Sequence, residues 1–240
     1  MDKKQITGEP WVHLDNGEFF KNWTKESEIQ SNQTFRQGQK YEFYRQAFDF
    51  IADNRIEGDY LEFGCHRVRT FRMALTEARR HNLDSMTFRA FDSFAGLPTV
   101  ETKTSIPLWK KGALTTSEAE FLDLVNKHGI YTDKVRTVAG FYDASLTPSL
   151  QKEILNEGKK ASFVCVDCDL YESAVPVWKF VDPIFQEGSV LYIDDYYVGY
   201  KGSPKHGVAK AFAEYQAKTE WKFEPHLSIG WWGKSFIVYR

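Results

Sequence analysis

Residues 161–195 read ASFVCVDCDLYESAVPVWKFVDPIFQEGSVLYIDD. Two short apolar runs, 161–167 and 189–195, flank a stretch with helical character, and each run ends in aspartate. Apolar runs of this length, separated by a helix, are the pattern of parallel strands covered on both faces. Ser173 is expected to cap the intervening helix, with Pro176 in its first turn, where proline is tolerated.

The same alternation extends in both directions. Strand candidates are 60–64, 86–92 and 134–140 upstream, and 221–226 and 235–240 downstream. The last two have no helix between them, so they are expected to pair antiparallel at one edge of the sheet. Ser117 followed by Glu120 forms a capping box, and Gly129 can close the helix that it opens. Residues 206–217 carry Val208, Ala211, Phe212 and Tyr215 on one side of another helix. The sequence thus predicts an α/β fold with seven strands. Residues 93–116 and 196–206 have no such pattern, and unpatterned loops of this length are usually functional or mobile.

Composition narrows the function. A formal net charge of −2 over 240 residues provides no basic excess to displace counterions from phosphates, which argues against nucleic acid. No run approaches the ~18 apolar residues of a membrane span, and MDKKQITGEP lacks the apolar stretch of a secretory signal. Cys65, Cys165 and Cys168 are too few for a disulfide framework, so a cytoplasmic location is expected. Cys165 and Cys168 are three apart along a strand, hence on opposite faces, and read as packing residues rather than a metal or redox pair.

The chemistry concentrates at strand ends. In open α/β sheets the ligand crevice lies outside the C-terminal ends of the strands. Glu62-Phe-Gly64 closes the first strand before a helix; its glycine either admits a ligand or simply makes a tight turn. Asp92, 30 residues on, ends the second strand, where a carboxylate can accept both hydroxyls of a ribose. Asp167 ends the fourth strand and Asp194-Asp195 the fifth. Neighbouring strands are ~4.8 Å apart, so these carboxylates would repel, and a hard divalent cation such as Mg²⁺ is the simplest remedy. After Gly64 the chain lacks a G-x-G-x-x-G loop, which argues against a dinucleotide-dependent oxidoreductase.

The strings GDYLEFG, AFDSFAGLP, VAGFYDASL, VDCDLYES, GSVLYIDDYY and GVAKAFAEY, between about residues 58 and 215, resemble the macrocin O-methyltransferase family. Those are metal-dependent sugar O-methyltransferases, related in layout to the catechol methyltransferases. The resemblance implies a Rossmann-like class I methyltransferase fold: a mostly parallel seven-stranded sheet, an antiparallel edge strand, and helices on both faces. It implies an enzyme that uses S-adenosylmethionine and Mg²⁺ on a small molecule or glycan with vicinal hydroxyls. Residues 1–57 would be an N-terminal helical extension or lid, and 58–240 the methyltransferase domain. The alternative is a binding or regulatory protein that keeps the fold without the chemistry.

Residue by residue, the resemblance assigns Glu62, Gly64 and Thr70 to the methionine end of the cofactor. Asp92 would hold the ribose and Ser93 would lie beside the adenine, which Gly140, Phe141 and Tyr142 would border. Asp167 would touch cofactor and metal, with Asp194 and Asp195 as further metal ligands. Candidates for the general base are Asp169, which on strand alternation points the same way as Asp167, and His206, at the end of the second unpatterned loop. His226 ranks below them, and His13, His66, His81 and His128 show no partner pattern. In the loop GCHRVRT this chain has Val68 and Arg69 where relatives carry glycine; Arg69 could instead pair with the cofactor carboxylate. The catechol enzymes carry a lysine three residues after the first metal aspartate, where this chain has Leu170. Aromatic residues crowd the N-terminal third (Phe19, Phe20, Trp23, Phe35, Tyr41, Phe43, Tyr44, Phe48, Phe50). Phe43 to Phe50 read as a helix packed on the sheet, while the group as a whole could serve as a lid or a homo-oligomer interface.

Overall fold

A computed structural model describes residues 15–99, 104 and 106–240; His13 and the start of the chain lie outside them. Two compact units divide at Gly38/Gln39. In the first, Asn16 caps the short helix α1 (Gly17–Phe20) by accepting from the backbone amides of Glu18 and Phe19. The rings of Phe19, Phe20 and Trp23 cluster beside it. Helix α2 (Lys25–Asp53) begins in this unit.

The second unit is a seven-stranded sheet in the order β3-β2-β1-β4-β5-β7-β6. Its strands are β1 (Asp59–Phe63), β2 (Phe88–Asp92), β3 (Val135–Ala139), β4 (Ala161–Val166), β5 (Val190–Ile193), β6 (Lys222–Ile229) and β7 (Gly233–Tyr239). The first five are parallel neighbours; β7 runs antiparallel to both β5 and β6. The expected antiparallel pair therefore stands at one end of the sheet, with β7 inserted next to β5 and β6 outermost.

Two apolar layers enclose the sheet. On one face the rings of Tyr60, Phe88, Phe163 and Tyr192 meet the later part of α2 together with α3 (Arg69–Arg80) and α4 (Glu118–His128). On the other, Leu61, Phe63, Val164, Val166, Leu191 and Ile193 meet α5 (Tyr142–Ser145), α6 (Pro148–Asn156), α7 (Tyr171–Val181) and α8 (Gly207–Gln216). Cys165 belongs to the first layer and Cys168 to the second, and all three cysteines are free. Buried positions of α2 after Gly38 are Lys40, Phe43, Tyr44, Ala47, Phe48 and Ile51, one stripe at helical spacing. Phe43 packs against Phe163 and Tyr192, so Phe43 to Phe48 do cover the sheet.

Ser117 caps α4 as expected, accepting from the Glu120 amide at 3.2 Å, and Gly129 closes it at φ +74°. Ser173 does not cap α7. That helix starts at Tyr171 with Leu170 as its N-cap, so Ser173 is already inside it and Pro176 falls in the second turn. The reason is packing: Leu170 is fully buried and sets where the chain turns, overriding the polar cap.

The parallel order reverses between β1 and β4, the switch point where such sheets bind ligands. Gly64 stands there at φ +96°, and a Cβ on it would collide with the backbone carbonyl of Asp167. Between its two sequence readings, the structure shows a close approach of neighbouring chain. Just beyond, Arg67 (φ +54°) and Val68 (φ +56°) are consecutive left-handed residues. The backbone keeps a conformation suited to glycine at a buried, β-branched valine. Val68→Gly should accordingly be more stable than Val68→Ala by about 1 kcal/mol, reversing the usual order; urea denaturation of the pair checks this.

Beneath this loop the Tyr60 hydroxyl donates to Glu62 Oε2, and the Thr70 hydroxyl donates to Oε1 at 2.9 Å. Tyr44 and Tyr60 share a further hydroxyl contact of 2.9 Å. Burial raises the Glu62 carboxyl from 4.5 to about 7, despite these donors. The folded state therefore holds this proton more tightly than the unfolded chain, and stability falls as pH rises from about 4.5 through 7. Glu62→Gln should remove up to about 3 kcal/mol of that decline, read as a smaller shift of the urea midpoint between pH 5 and pH 8.

Candidate active site

Strand register builds the site. Val166 pairs with Ile193, so the next residues, Asp167 and Asp194, leave the sheet side by side. The Asp194 amide donates to the Val166 carbonyl, and the Asp167 amide to the Phe63 carbonyl, both at 2.9 Å. One oxygen from each of Asp167, Asp194 and Asp195 lies within 4.8 Å of the others. Asp195 (φ +52°) and Asp169 (φ +62°) both adopt left-handed backbone, a strained arrangement that tends to occur at functional sites. Strand alternation does not bring Asp169 near Asp167, because β4 has ended at Val166. The left-handed turn does, bringing the Asp169 carboxyl close enough to Asp167 and Asp195 for their charges to act on it.

A residue invisible to motif reading completes the cluster. Lys40 on α2 is nearly fully buried, and its ammonium donates to Asp194 Oδ2 at 2.6 Å and to Asp167 Oδ2 at 3.3 Å. The Tyr192 hydroxyl donates to the other Asp194 oxygen at 2.5 Å. Burial alone would lower the Lys40 pKa, but the charges of Asp167 and Asp194 outweigh it and hold the lysine well above its ordinary value. Burial pushes Asp194 upward, yet the Lys40 ammonium and the hydrogen bonds keep it below the usual carboxylate range. Burial, then the Asp194 charge, drive Asp167 well up. Asp195 rises well up for the same two reasons, joined by the charge of Asp169, while burial brings Asp169 to about 7.

The signal for Lys40 was its place at the head of the stripe Phe43, Tyr44, Ala47, where a lysine is out of character. The position three residues after Asp167 is Leu170, fully buried, so the ammonium that reaches these carboxylates comes from α2. When ionised, four carboxylates and one lysine leave three negative charges in a partly buried volume. An all-oxygen donor set with that excess fits a hard divalent cation.

The ribose candidate Asp92 lies at the end of β2. Its Oδ2 accepts from the Cys65 amide and its Oδ1 from the Phe94 amide, both at 2.7 Å, which fixes the carboxylate against the β1 turn. Ser93 turns into its own loop, donating to the Gly96 carbonyl. Gly140 follows β3 at φ +131°; Phe141 is exposed, and the Tyr142 hydroxyl donates to the Phe91 carbonyl at 3.0 Å. Glu62 and Thr70 satisfy each other in the core. Arg69 is half-buried; burial lowers its pKa, as do Arg67 and Arg72, while Asp167 opposes them.

The two unpatterned loops come together. Leu97, Trp109 and Leu170 form a third apolar cluster with Ile106, Leu114, Val198 and Tyr200. Gly199 (φ +71°) lies where a Cβ would stand 3.4 Å from the Trp109 ring. His206 is the exposed N-cap of α8, its ring stacked 5.2 Å from that of Tyr200. His226 sits on β6 beside Phe50, away from the strand ends. The remaining described histidines have partners: His66 meets Thr116, His128 meets Thr76, and His81 pairs with Asp49 at 3.1 Å.

The fold has counterparts among known proteins. Among solved structures the chain is similar to the O-methyltransferase NovP (22 % identity, TM-score 0.67, covering 84 % of this chain and 80 % of that one). It is also similar to the calicheamicin methyltransferase CalS11 (17 %, TM-score 0.67, 94 % of each chain) and to an O-methyltransferase from Bacillus cereus in complex with SAH (11 %, TM-score 0.53, 93 % and 96 %). These likenesses show the class I methyltransferase fold. A comparison with curated protein sequences finds no match. The macrocin-O-methyltransferase (TylF) family model matches residues 31–236, a span that takes in every strand but the last few residues of β7, and the chain belongs to that family of O-methyltransferases.

Proposed function

We propose that this chain transfers a methyl group from S-adenosylmethionine to a hydroxyl of a sugar or glycosylated small molecule, with Mg²⁺ held by Asp167, Asp194 and Asp195. The observation that carries this reading is the convergence of those three carboxylates at the ends of β4 and β5, beside the β1/β4 switch point. The sugar acceptor is supported by CalS11, described as a TDP-rhamnose 3′-O-methyltransferase. In that role S-adenosylmethionine supplies a methyl group already activated by the positive sulfonium, and the cation lowers the pKa of the hydroxyls it orients.

The chain's own residues position and deprotonate. Asp92, pinned by two amides, keeps lone pairs for the ribose hydroxyls. Gly140, Phe141, Tyr142 and Ser93 border the adenine. Gly64, with Glu62 and Thr70 supporting the turn from below, shapes the methionine end, where Arg69 faces the carboxylate. Asp169, beside the cluster, accepts the proton of the acceptor hydroxyl. His206, its ring stacked on Tyr200, is the second candidate for that proton.

Calorimetry with S-adenosylhomocysteine tests the cofactor half. The protein should bind it, and Asp92→Asn should weaken binding by ~1–3 kcal/mol, about five- to 150-fold. Absence of binding by the unsubstituted protein at millimolar ligand overturns the reading. For the metal half, chelation should abolish turnover and added Mg²⁺ should restore it, while Asp194→Asn should impair Mg²⁺ binding and leave S-adenosylhomocysteine bound. Full turnover after exhaustive chelation overturns the metal, leaving acid–base transfer through Asp169 or His206.

A further inference from the structure

Lys40 is the one cation hydrogen-bonded to the carboxylate cluster among the described residues. It is held there by construction. It occupies the leading position of the α2 stripe whose next members, Phe43 and Tyr44, are locked against Phe163 and Tyr192. The side chain is buried and its head contacts two of the three candidate metal ligands. Its strongest contact, 2.6 Å, is to the carboxylate that Tyr192 holds from the other side. A lysine so placed is a poor proton acceptor, since every neighbouring charge favours its ionised form. What it supplies is fixed positive charge at the point where like charges crowd.

We propose that the Lys40 ammonium is the resident counter-cation of this cluster, holding Asp167 and Asp194 together without metal and competing with a divalent cation for the same oxygens. The inference rests on the reading that Asp167, Asp194 and Asp195 bind a metal. It adds that metal affinity is set low by the chain itself, and that the strand ends are assembled before the metal arrives. A purely structural lysine would stabilise the protein equally with and without metal. A counter-cation makes stability and metal affinity move in opposite directions, because the two cations neutralise the same carboxylates.

The test uses the full chain with Lys40→Met, which keeps the buried stem and removes the charge, and Lys40→Arg, which keeps the charge. Mg²⁺ titration by calorimetry should show Lys40→Met binding at least about tenfold more tightly than the unsubstituted protein, with Lys40→Arg near the original affinity. Thermal melting in chelator should fall by roughly 10 °C in Lys40→Met, and saturating Mg²⁺ should recover more of the melting temperature in this variant than in the unsubstituted protein. Lys40→Gln supplies the same readouts where Lys40→Met does not fold. Mg²⁺ affinity that is unchanged or weaker in a folded, uncharged variant overturns the inference and leaves the metal reading standing. No Mg²⁺ binding by any of the proteins, the unsubstituted one included, overturns both.

Discussion

Like charges gathered in a partly buried volume repel, and the ends of β4 and β5 gather four carboxylates there: Asp194, which is buried, and the half-buried Asp167, Asp169 and Asp195. Everything around them reads as an answer to that repulsion. Lys40 enters from α2 with a full positive charge. The hydroxyl of Tyr192 satisfies one face of Asp194, and protons stay longer on Asp167 and Asp195 than on ordinary aspartates, chiefly because both are partly buried. Removing one partner from such a group typically costs 3–5 kcal/mol, because the remainder is a buried, uncompensated charge. Cluster and supports are therefore one unit.

A local device recurs within that unit. On β1 Tyr60 donates to Glu62, and on β5 Tyr192 donates to Asp194. In each case the tyrosine precedes the acid by two residues, so both side chains leave the same face of the strand. Both tyrosines also lie in the aromatic layer under α2, where their rings pack among Tyr44 and Phe163 or Phe43. One residue thus does two things: the ring fills the core, and the hydroxyl satisfies a carboxylate at the strand end. The site and the core on this face are joined through the same side chains.

Beyond the strand ends, residues of two loops pack together on Leu170. Trp109, Leu97, Val198 and Tyr200 come from two segments without periodic pattern, and they cohere by packing on Leu170, the residue from which α7 starts. Left-handed backbone at Asp169, Asp195, Tyr200 and Lys201 marks the same rim. Such conformations persist only where the surroundings over-determine them, and here a buried leucine and an indole provide that.

The order of strands and helices and the acidic strand ends could be read from the sequence, because they rest on periodicities of 2 and 3.6 and on residues fixed to a strand terminus; the family was legible only as the resemblance of several short strings to a known one. Ser117 and Gly129 bound α4 as read, since a cap is a contact within a few residues. Ser173 misled because burial of Leu170, a long-range term, decided where α7 begins. Local pattern also left open what Gly64 accommodates, since the Asp167 carbonyl that fills the space arrives from β4, about a hundred residues away. Lys40 stood out in the chain only as a lysine heading an apolar stripe, and what its ammonium meets could not be assigned until that stripe is laid on the sheet. Tertiary structure alone decided that this lysine faces Asp194 across more than 150 positions, because electrostatic partners are chosen by distance in space.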